Sequence, residues 1–404
     1  MAQYYITLTE EHLHGLFVSN GRDEAFAKLL EEIFNQVLLA QSTEQLQAAP
    51  YERTEKRTAY RNGSYDRSLT TRVGTLKLHI PRHRNGDFST ELFQRYQRSE
   101  QALILAMMEM VVNGVSTRKV ETITEELCGK KFSKSTISAL CERLDPLVHE
   151  FQTRPLDQHY PFLLVDAIYC KVRANNRVQS RGLLVAIGIN EDGCREVIGF
   201  QVANSESESS WGDFFRSLKA RGLKDVNLIT SDNHTGLVNA VQKNFQGATW
   251  QRCQTHFSRN MLDHTPKTLQ PRLKEELRQL YEAIDKKSAI DVRNRIFAEY
   301  EDKAPKAVAL LDEAFDDITA VLILPLKYRK RLRTTNSVER LNQEIRRRER
   351  VIRIFPNEAS VIRLMGALLM EQSEKWQTGR KYFDMDLYYQ TVNQEASTKE
   401  TAIA

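Results

Sequence analysis

The chain has 404 residues, 41% of them hydrophobic and 27% charged, and a formal net charge of +5. That length leaves room for two or three domains, each with its own core, and the composition is that of an ordinary soluble protein. Five scattered cysteines, Cys128, Cys141, Cys170, Cys194 and Cys253, exclude a secreted disulfide framework and point to a reducing compartment.

The opening MAQYYITLTEEH has no basic stretch followed by an apolar one, so no signal peptide is read there and a cytoplasmic protein is expected. Residues 23–41 set Phe26, Leu29, Leu30, Ile33 and Val37 at helical spacing, which predicts an amphipathic helix for a core or a dimer surface. Tyr60 to Phe88 is punctuated by Asn62-Gly63, Val73-Gly74 and Asn85-Gly86, and Leu76 to Ile80 alternates apolar with polar. Short strands are expected there. Nine Lys or Arg against Glu55 and Asp66 lie between Arg53 and Arg84; they suit a phosphate-tracking surface or a plain solvated sheet.

Ala102 to Val112, the most hydrophobic run, is too short to cross a bilayer and contains Glu109. It reads as a buried helix, and no membrane partner is expected. Val120, Ile123 and Leu127, a break at Cys128-Gly129, then Ile137, Leu140 and Leu144 predict two short helices about a turn, with Ser133 or Ser135 capping the second. The pair reads as a helix-turn-helix or as an ordinary helical hairpin. In the first case Lys130, Lys131, Lys134, Ser135 and Thr136 stand where such folds touch DNA.

Strand candidates follow at Pro161 to Arg173, Gly182 to Asn190 and Glu196 to Ala203, joined by turns rich in Asn and Gly, which suits an antiparallel meander. A helix (Ser209 to Leu223), a strand (Asp225 to Thr230), a helix (Gly236 to Asn244) and a strand (Ala248 to Cys253) complete an α/β layer. Residues 255–325 carry only helical spacing. Thr334, Thr335 or Asn336 can cap a further helix, in which Glu339, Asn342, Gln343 and Arg346 share one face. From Lys327 to Arg353 there are eleven Lys or Arg against three Glu, a net of +8 that leaves about −3 for the rest. Charge concentrated in this way suggests a polyanion partner. Asp166 is set inside the apolar run PFLLVDAIYCKVR. Burying an unpaired carboxylate costs several kcal/mol, so it requires a metal or another partner, an opening to water, or a place on a solvated face. Asp232 ends a strand candidate, where open α/β sheets build their sites.

Six segments in order, YRNGSYDRSLTTRVGTLKLHIPR, LLVDAIYCKVR, ESESSW, LKARGLKDVNLITSDNHTGL, QRCQTHFSRN and RTTNSVERLNQEIRRR, resemble the Mutator-like family of bacterial insertion-sequence transposases, over about Tyr60 to Trp376. The resemblance implies a ribonuclease-H-like α/β core, a mixed five-stranded sheet with flanking helices, interrupted by an all-helical insertion. It places an Asp-Asp-Glu triad on Asp166, Asp232 and Glu339, which would hold two Mg²⁺ or Mn²⁺ ions about 3.5–4 Å apart. It implies cleavage at terminal inverted repeats and strand transfer by direct transesterification, a circular or figure-eight intermediate, target DNA as second partner, and a homodimer on paired ends in a nucleoid-associated setting. Domains are expected at 1–50 (helical, dimerisation), 51–98 (basic, β-rich), 99–155 (helix-turn-helix), 156–258 (catalytic core), 259–326 (helical insertion), 327–385 (final core helices) and 386–404 (polar tail).

Cys253 and His256 form a family signature, but as half a zinc site they are read as core or active-site neighbours. His234 touches a phosphate or caps the next helix, and Asn336, Asn342 and Arg346 support the ligands or contact phosphate. Lys330, Arg333, Arg340 and Arg347 complete the expected DNA contacts. Trp211 serves either a core or base stacking. A DNA-binding regulator without catalysis, or a nuclease without strand transfer, stays open as an alternative.

Overall fold

The computed structural model describes residues 5–10, 22–84, 88–90, 92 and 99–391. The expected Asn85-Gly86 turn and the end of the polar tail, from 392, lie outside them. The chain divides into two compact units, Met1–Arg143 and Leu144–Ala404.

In the first unit, helix α1 (Arg22–Leu46) packs on a hairpin of β1 (Arg61–Thr71) and β2 (Gly74–His83). Leu69, Leu76, Leu78 and Ile80 bury one face of the hairpin against Leu38. The Asn62-Gly63 signal does not separate strands. It lies inside β1, where the register shifts between Arg61 and Ser64 and Gly63 takes φ +72°, a glycine bulge that absorbs one extra residue.

Three short helices follow, α2 (Gln101–Val112), α3 (Thr117–Cys128) and α4 (Lys134–Cys141). The Ser116 and Ser133 side chains accept the N–H of Lys119 and Thr136 and cap α3 and α4. Gly129, at φ +64°, ends α3 in the left-handed region that a side chain disfavours.

The second unit opens with α5 (Asp145–Thr153) and a meander of β3 (Phe162–Ala174), β4 (Arg177–Ile189) and β5 (Arg195–Ala203), antiparallel throughout. Asn175 and Asn176, both at positive φ, make the β3–β4 turn. After α6 (Glu208–Ala220), strand β6 (Leu228–Ser231) pairs parallel to β3; after α7 (Thr235–Asn244), β7 (Thr249–Arg252) pairs parallel to β6. The result is a mixed five-stranded sheet of order β5-β4-β3-β6-β7.

Alternation along β3 gives the sheet two faces. Leu163 and Val165 join Trp211, Phe214, Phe215 and Leu237 in one apolar core beneath α6 and α7. Phe162 lies on the other face, its ring against Tyr328, Phe383 and Tyr388.

Helices α8 (Gln254–Asp263), α9 (Gln270–Tyr281), α10 (Lys286–Tyr300) and α11 (Pro305–Thr319) share a separate core that runs from Phe257 and Met261 to Ile318. Pro305 occupies the first turn of α11, where its missing N–H is harmless. The chain returns through α12 (Leu326–Leu332) to α13 (Asn336–Ile352) and α14 (Glu358–Gln377). Its return is fastened: Gln254 N–H donates to the Arg333 carbonyl at 3.0 Å, and the Thr230 hydroxyl to the Leu332 carbonyl at 2.6 Å. No described helix is long and apolar enough to cross a membrane.

Candidate active site

The β3–β6 register pairs Leu164 with Thr230. Continued by two residues, it brings Asp232, just past the end of β6, level with Asp166 on the neighbouring strand, ~4.8 Å away in backbone spacing. Beyond them the far end of β3 is fixed by Phe355, whose backbone bonds Lys171 and Arg173, so α13 is carried across the strand between these anchors. Asn342 of α13 donates Nδ2–H to Asp166 Oδ2 at 2.7 Å, and the Ala167 N–H donates to Oδ1 at 2.9 Å.

Asp166 is only 8% exposed. Burial, and then the nearby Asp232 charge, push its carboxyl from 3.8 up to about 6, against the opposing pull of Asn342. Two hydrogen bonds therefore do not compensate its charge. The Asn342 Oδ1 atom is also buried without a partner.

Glu339 is half-buried one turn ahead of Asn342 on the same face of α13. It does not complete a cluster with the aspartates: among the described residues no three His, Cys, Asp or Glu side chains are gathered closely enough to hold a metal. The Asn336 side chain lies outside the described residues.

Cys253 is fully buried at the N-cap of α8, with His256 in the first turn. Thr335, expected as a helix cap, makes no side-chain cap bond to α13. Its hydroxyl lies 3.4 Å from Cys253 Sγ, and its N–H donates to the same sulfur at 3.4 Å. Burial raises the Cys253 thiol, but hydrogen bonds with His256 and Thr335 outweigh it and bring the thiol below its ordinary value. The bond to Cys253, opposed by burial and helped by the charges of Cys253, Asp166 and Asp232, lifts His256 to about 9. His256 is thus a cation near both aspartates, and its Nδ1 is buried without a partner.

His234 takes the N-cap position of α7 without a side-chain cap bond, its N–H 3.3 Å from Asp232 Oδ1 and its ring 3.7 Å from Glu206. Glu206 was not singled out in the sequence. It accepts from the Tyr169 hydroxyl at 3.1 Å and from Trp211 Nε1 at 3.4 Å. Its signal was the ESESSW segment, in which only Trp211 drew notice. Trp211 itself is fully buried and stacked on Phe215, so it is a core residue and unavailable to bases.

The expected DNA-contact residues divide. Arg333 donates to the Tyr281 carbonyl at 2.8 Å, and Arg347 pairs with Glu344 at 2.7 Å. Lys330, Arg340 and Arg346 are exposed. In the first unit Lys130 is half-buried, donating to the Thr70 hydroxyl at 2.8 Å. Lys131 lies 3.8 Å from Glu125, and the Ser135 and Thr136 hydroxyls bond the Ser133 cap. Lys134 is exposed at the start of α4.

A family model described as transposase, Mutator family, matches residues 1–379. The chain belongs to the Mutator family of transposases. Its relatives include the transposase for insertion sequence element IS256 in transposon Tn4001 of Staphylococcus aureus, 47% identical over 390 residues, 96% of this chain and 100% of the relative. The transposase for ISRM5 of Rhizobium meliloti is 44% identical over 90% of this chain and 91% of its own length. That for IS1081 of Mycobacterium tuberculosis is 39% identical over 91% of this chain and 90% of the relative. In this Mutator-family chain the paired aspartates, the α13 helix and the Cys253–His256 pair converge on one face of the sheet.

Proposed function

We propose that the chain is an insertion-sequence transposase that cuts its element's terminal inverted repeats and joins the freed 3′ ends to target DNA by transesterification, two copies acting on paired ends. The observation that carries this reading is Asp166, a buried carboxylate left short of positive charge beside Asp232. The mixed sheet, three antiparallel strands followed by two parallel ones, supports a ribonuclease-H-like core.

Asp166, Asp232 and the orphaned Asn342 Oδ1 form an oxygen-only donor set, which suits Mg²⁺ or Mn²⁺. Asp166, Asp232 and Glu339 would hold the ions, with Glu339 turning inward from its place one turn along α13. Ions held there would supply Lewis-acid activation of an attacking water or 3′-hydroxyl and charge stabilisation of the departing oxygen. Asn342 holds Asp166 in its rotamer. His256, raised to about 9, adds positive charge beside the aspartates, which favours a phosphate there. Exposed Lys330, Arg340 and Arg346 contact the backbone of the bound strand.

The test is cleavage and joining of duplexes taken from the DNA flanking the coding region, with Mg²⁺ and with EDTA. Joined products that need Mg²⁺ and vanish in Asp166→Asn, Asp232→Asn and Glu339→Gln bear out the reading. Cleavage without joined products makes the chain a nuclease; binding without cleavage makes it a regulator.

A further inference from the structure

Four separate segments of the second unit meet around a cavity of about 630 Å³. Its lining includes Arg195 from the start of β5, Lys330 and Arg331 from α12, Arg340 from the first turns of α13, and Arg380 and Lys381 after α14. The other lining residues, Thr334 and Tyr382, carry no charge. No carboxylate stands within ion-pair distance of any of the six cations among the described residues, and the cavity lining contains no Asp or Glu.

Two of the cations are held by aromatic rings rather than merely exposed. The Arg195 guanidinium lies between two rings, 4.4 Å from Trp376 and 4.3 Å from Tyr382. Arg331 stacks 4.8 Å from the Tyr382 ring and donates to the Tyr382 carbonyl. Arg195 Nε is buried without a partner, and the charges of Arg331 and Arg340 act against its own. Gathering six like charges in one concavity disfavours the empty fold, whereas a polyanion entering it relieves the repulsion.

We propose that this cavity is a sequence-independent clamp for consecutive phosphates of one DNA strand, leading away from the Asp166–Asp232 centre. The proposal rests on the transposase reading and extends it to Arg195, Arg331, Arg380 and Lys381, which lie outside the six family motifs. Register supplies the distance. Arg195 pairs with Ile189, which pairs with Phe162, so Arg195 lies level with Phe162, four residues short of Asp166 and two strands across. At ~3.3 Å per residue and ~4.8 Å per strand the separation is about 16 Å. Measured along the axis of a duplex, that is about five base-pair steps at ~3.4 Å each. Arg340, next to Glu339, bridges the interval. A phosphodiester backbone fits this layout because it repeats one charge at fixed spacing and offers no feature that would need a complementary carboxylate or amide. A free polyphosphate shares the chemistry but has no reason to lie in line with the aspartates.

The experiment uses the full chain and a random-sequence duplex, with affinity followed by fluorescence anisotropy across a salt series. Lys330→Gln, Arg380→Gln and Lys381→Gln are combined, leaving ring-held Arg195 in place, and circular dichroism checks the fold. Three lost phosphate contacts should lower the slope of log K against log salt by about 2.7, at ~0.9 per phosphate. Ethylation interference on a cleavable end should lose, in the triple variant, its signal about five steps from the cut. An unchanged slope overturns the proposal. So does inorganic tripolyphosphate that binds the wild type without displacing DNA. The measurement needs no catalysis: Asp166→Asn that still joins DNA would remove the mechanism and leave the clamp. An inactive Asp166→Asn beside a triple variant of unchanged slope would remove the clamp and leave the mechanism.

Discussion

The same strands give the central sheet two faces of opposite character. Beneath α6 and α7, Leu163, Val165, Trp211, Phe214 and Phe215 close an apolar core, with the Glu206 carboxylate at its edge on Trp211 Nε1. Under α13 the opposite face buries a carboxylate, a thiol and a threonine hydroxyl at Asp166, Cys253 and Thr335. An apolar face contributes stability roughly in proportion to area. A polar buried face costs stability unless each group is partnered, and is kept where chemistry needs it.

Predictions follow from breaking one face without the other. The largest effect is expected from Asp166→Ala. Strand transfer should fall at least ~10³-fold, the rate equivalent of the several kcal/mol that bound metal ions supply, while anisotropy shows DNA binding retained. Trp211→Ala on the apolar face should instead destabilise the fold by about 4 kcal/mol, read by denaturant unfolding, with activity per folded molecule kept at low temperature.

Asp166→Asn, measured in EDTA, should raise stability. The folded carboxyl binds its proton more tightly than the unfolded one, so wild-type stability falls as pH rises from about 4 through about 6. The gap between variant and wild type should open across that window. It should level off above it, on the order of 3 kcal/mol at most, and Mg²⁺ should close it. A gap that is flat with pH would mean Asp166 is not the strained group. The smallest effect is expected from Asn342→Ala, roughly a 10- to 100-fold rise in the Mg²⁺ concentration needed for half activity, with kcat at saturating Mg²⁺ less affected.

Much of this fold was legible because its core strands are apolar runs separated by Asn and Gly turns. What escaped had physical reasons. The first five residues of β4, Arg177 to Arg181, hold a single apolar side chain, the exposed Val178, and so carry too little hydrophobic signal; their backbone pairing with Cys170 to Ala174 makes them strand. Thr335, one of three candidate caps, holds the N-cap position, but a sulfur from 82 residues earlier in the chain claims its hydroxyl. Asp166 and Asp232 were joined in the sequence by the family resemblance alone; their register comes from the parallel pairing of β3 with β6, which no local pattern carries. Glu339 sits on a helix whose placement depends on long-range packing, and the structure leaves it outside a three-ligand cluster. Lys330 and Arg340 stood out in a basic run, but Arg195, Arg380 and Lys381 come from separate segments that only the fold brings to them.

The fastening at the base of α8–α12 has a further consequence. The segment leaves the sheet at Gln254 and returns at Arg333, and those two residues share a backbone hydrogen bond. The helices between are therefore a cassette with a closed neck: whatever lies beyond it, the placement of α13 is set at the neck. Closing a longer loop costs only ~0.6 kcal/mol per doubling of length. The loops joining α8 to α11 can thus lengthen at little cost, whereas α12, whose Tyr328 packs on Phe162 of β3, is tied to the reacting centre.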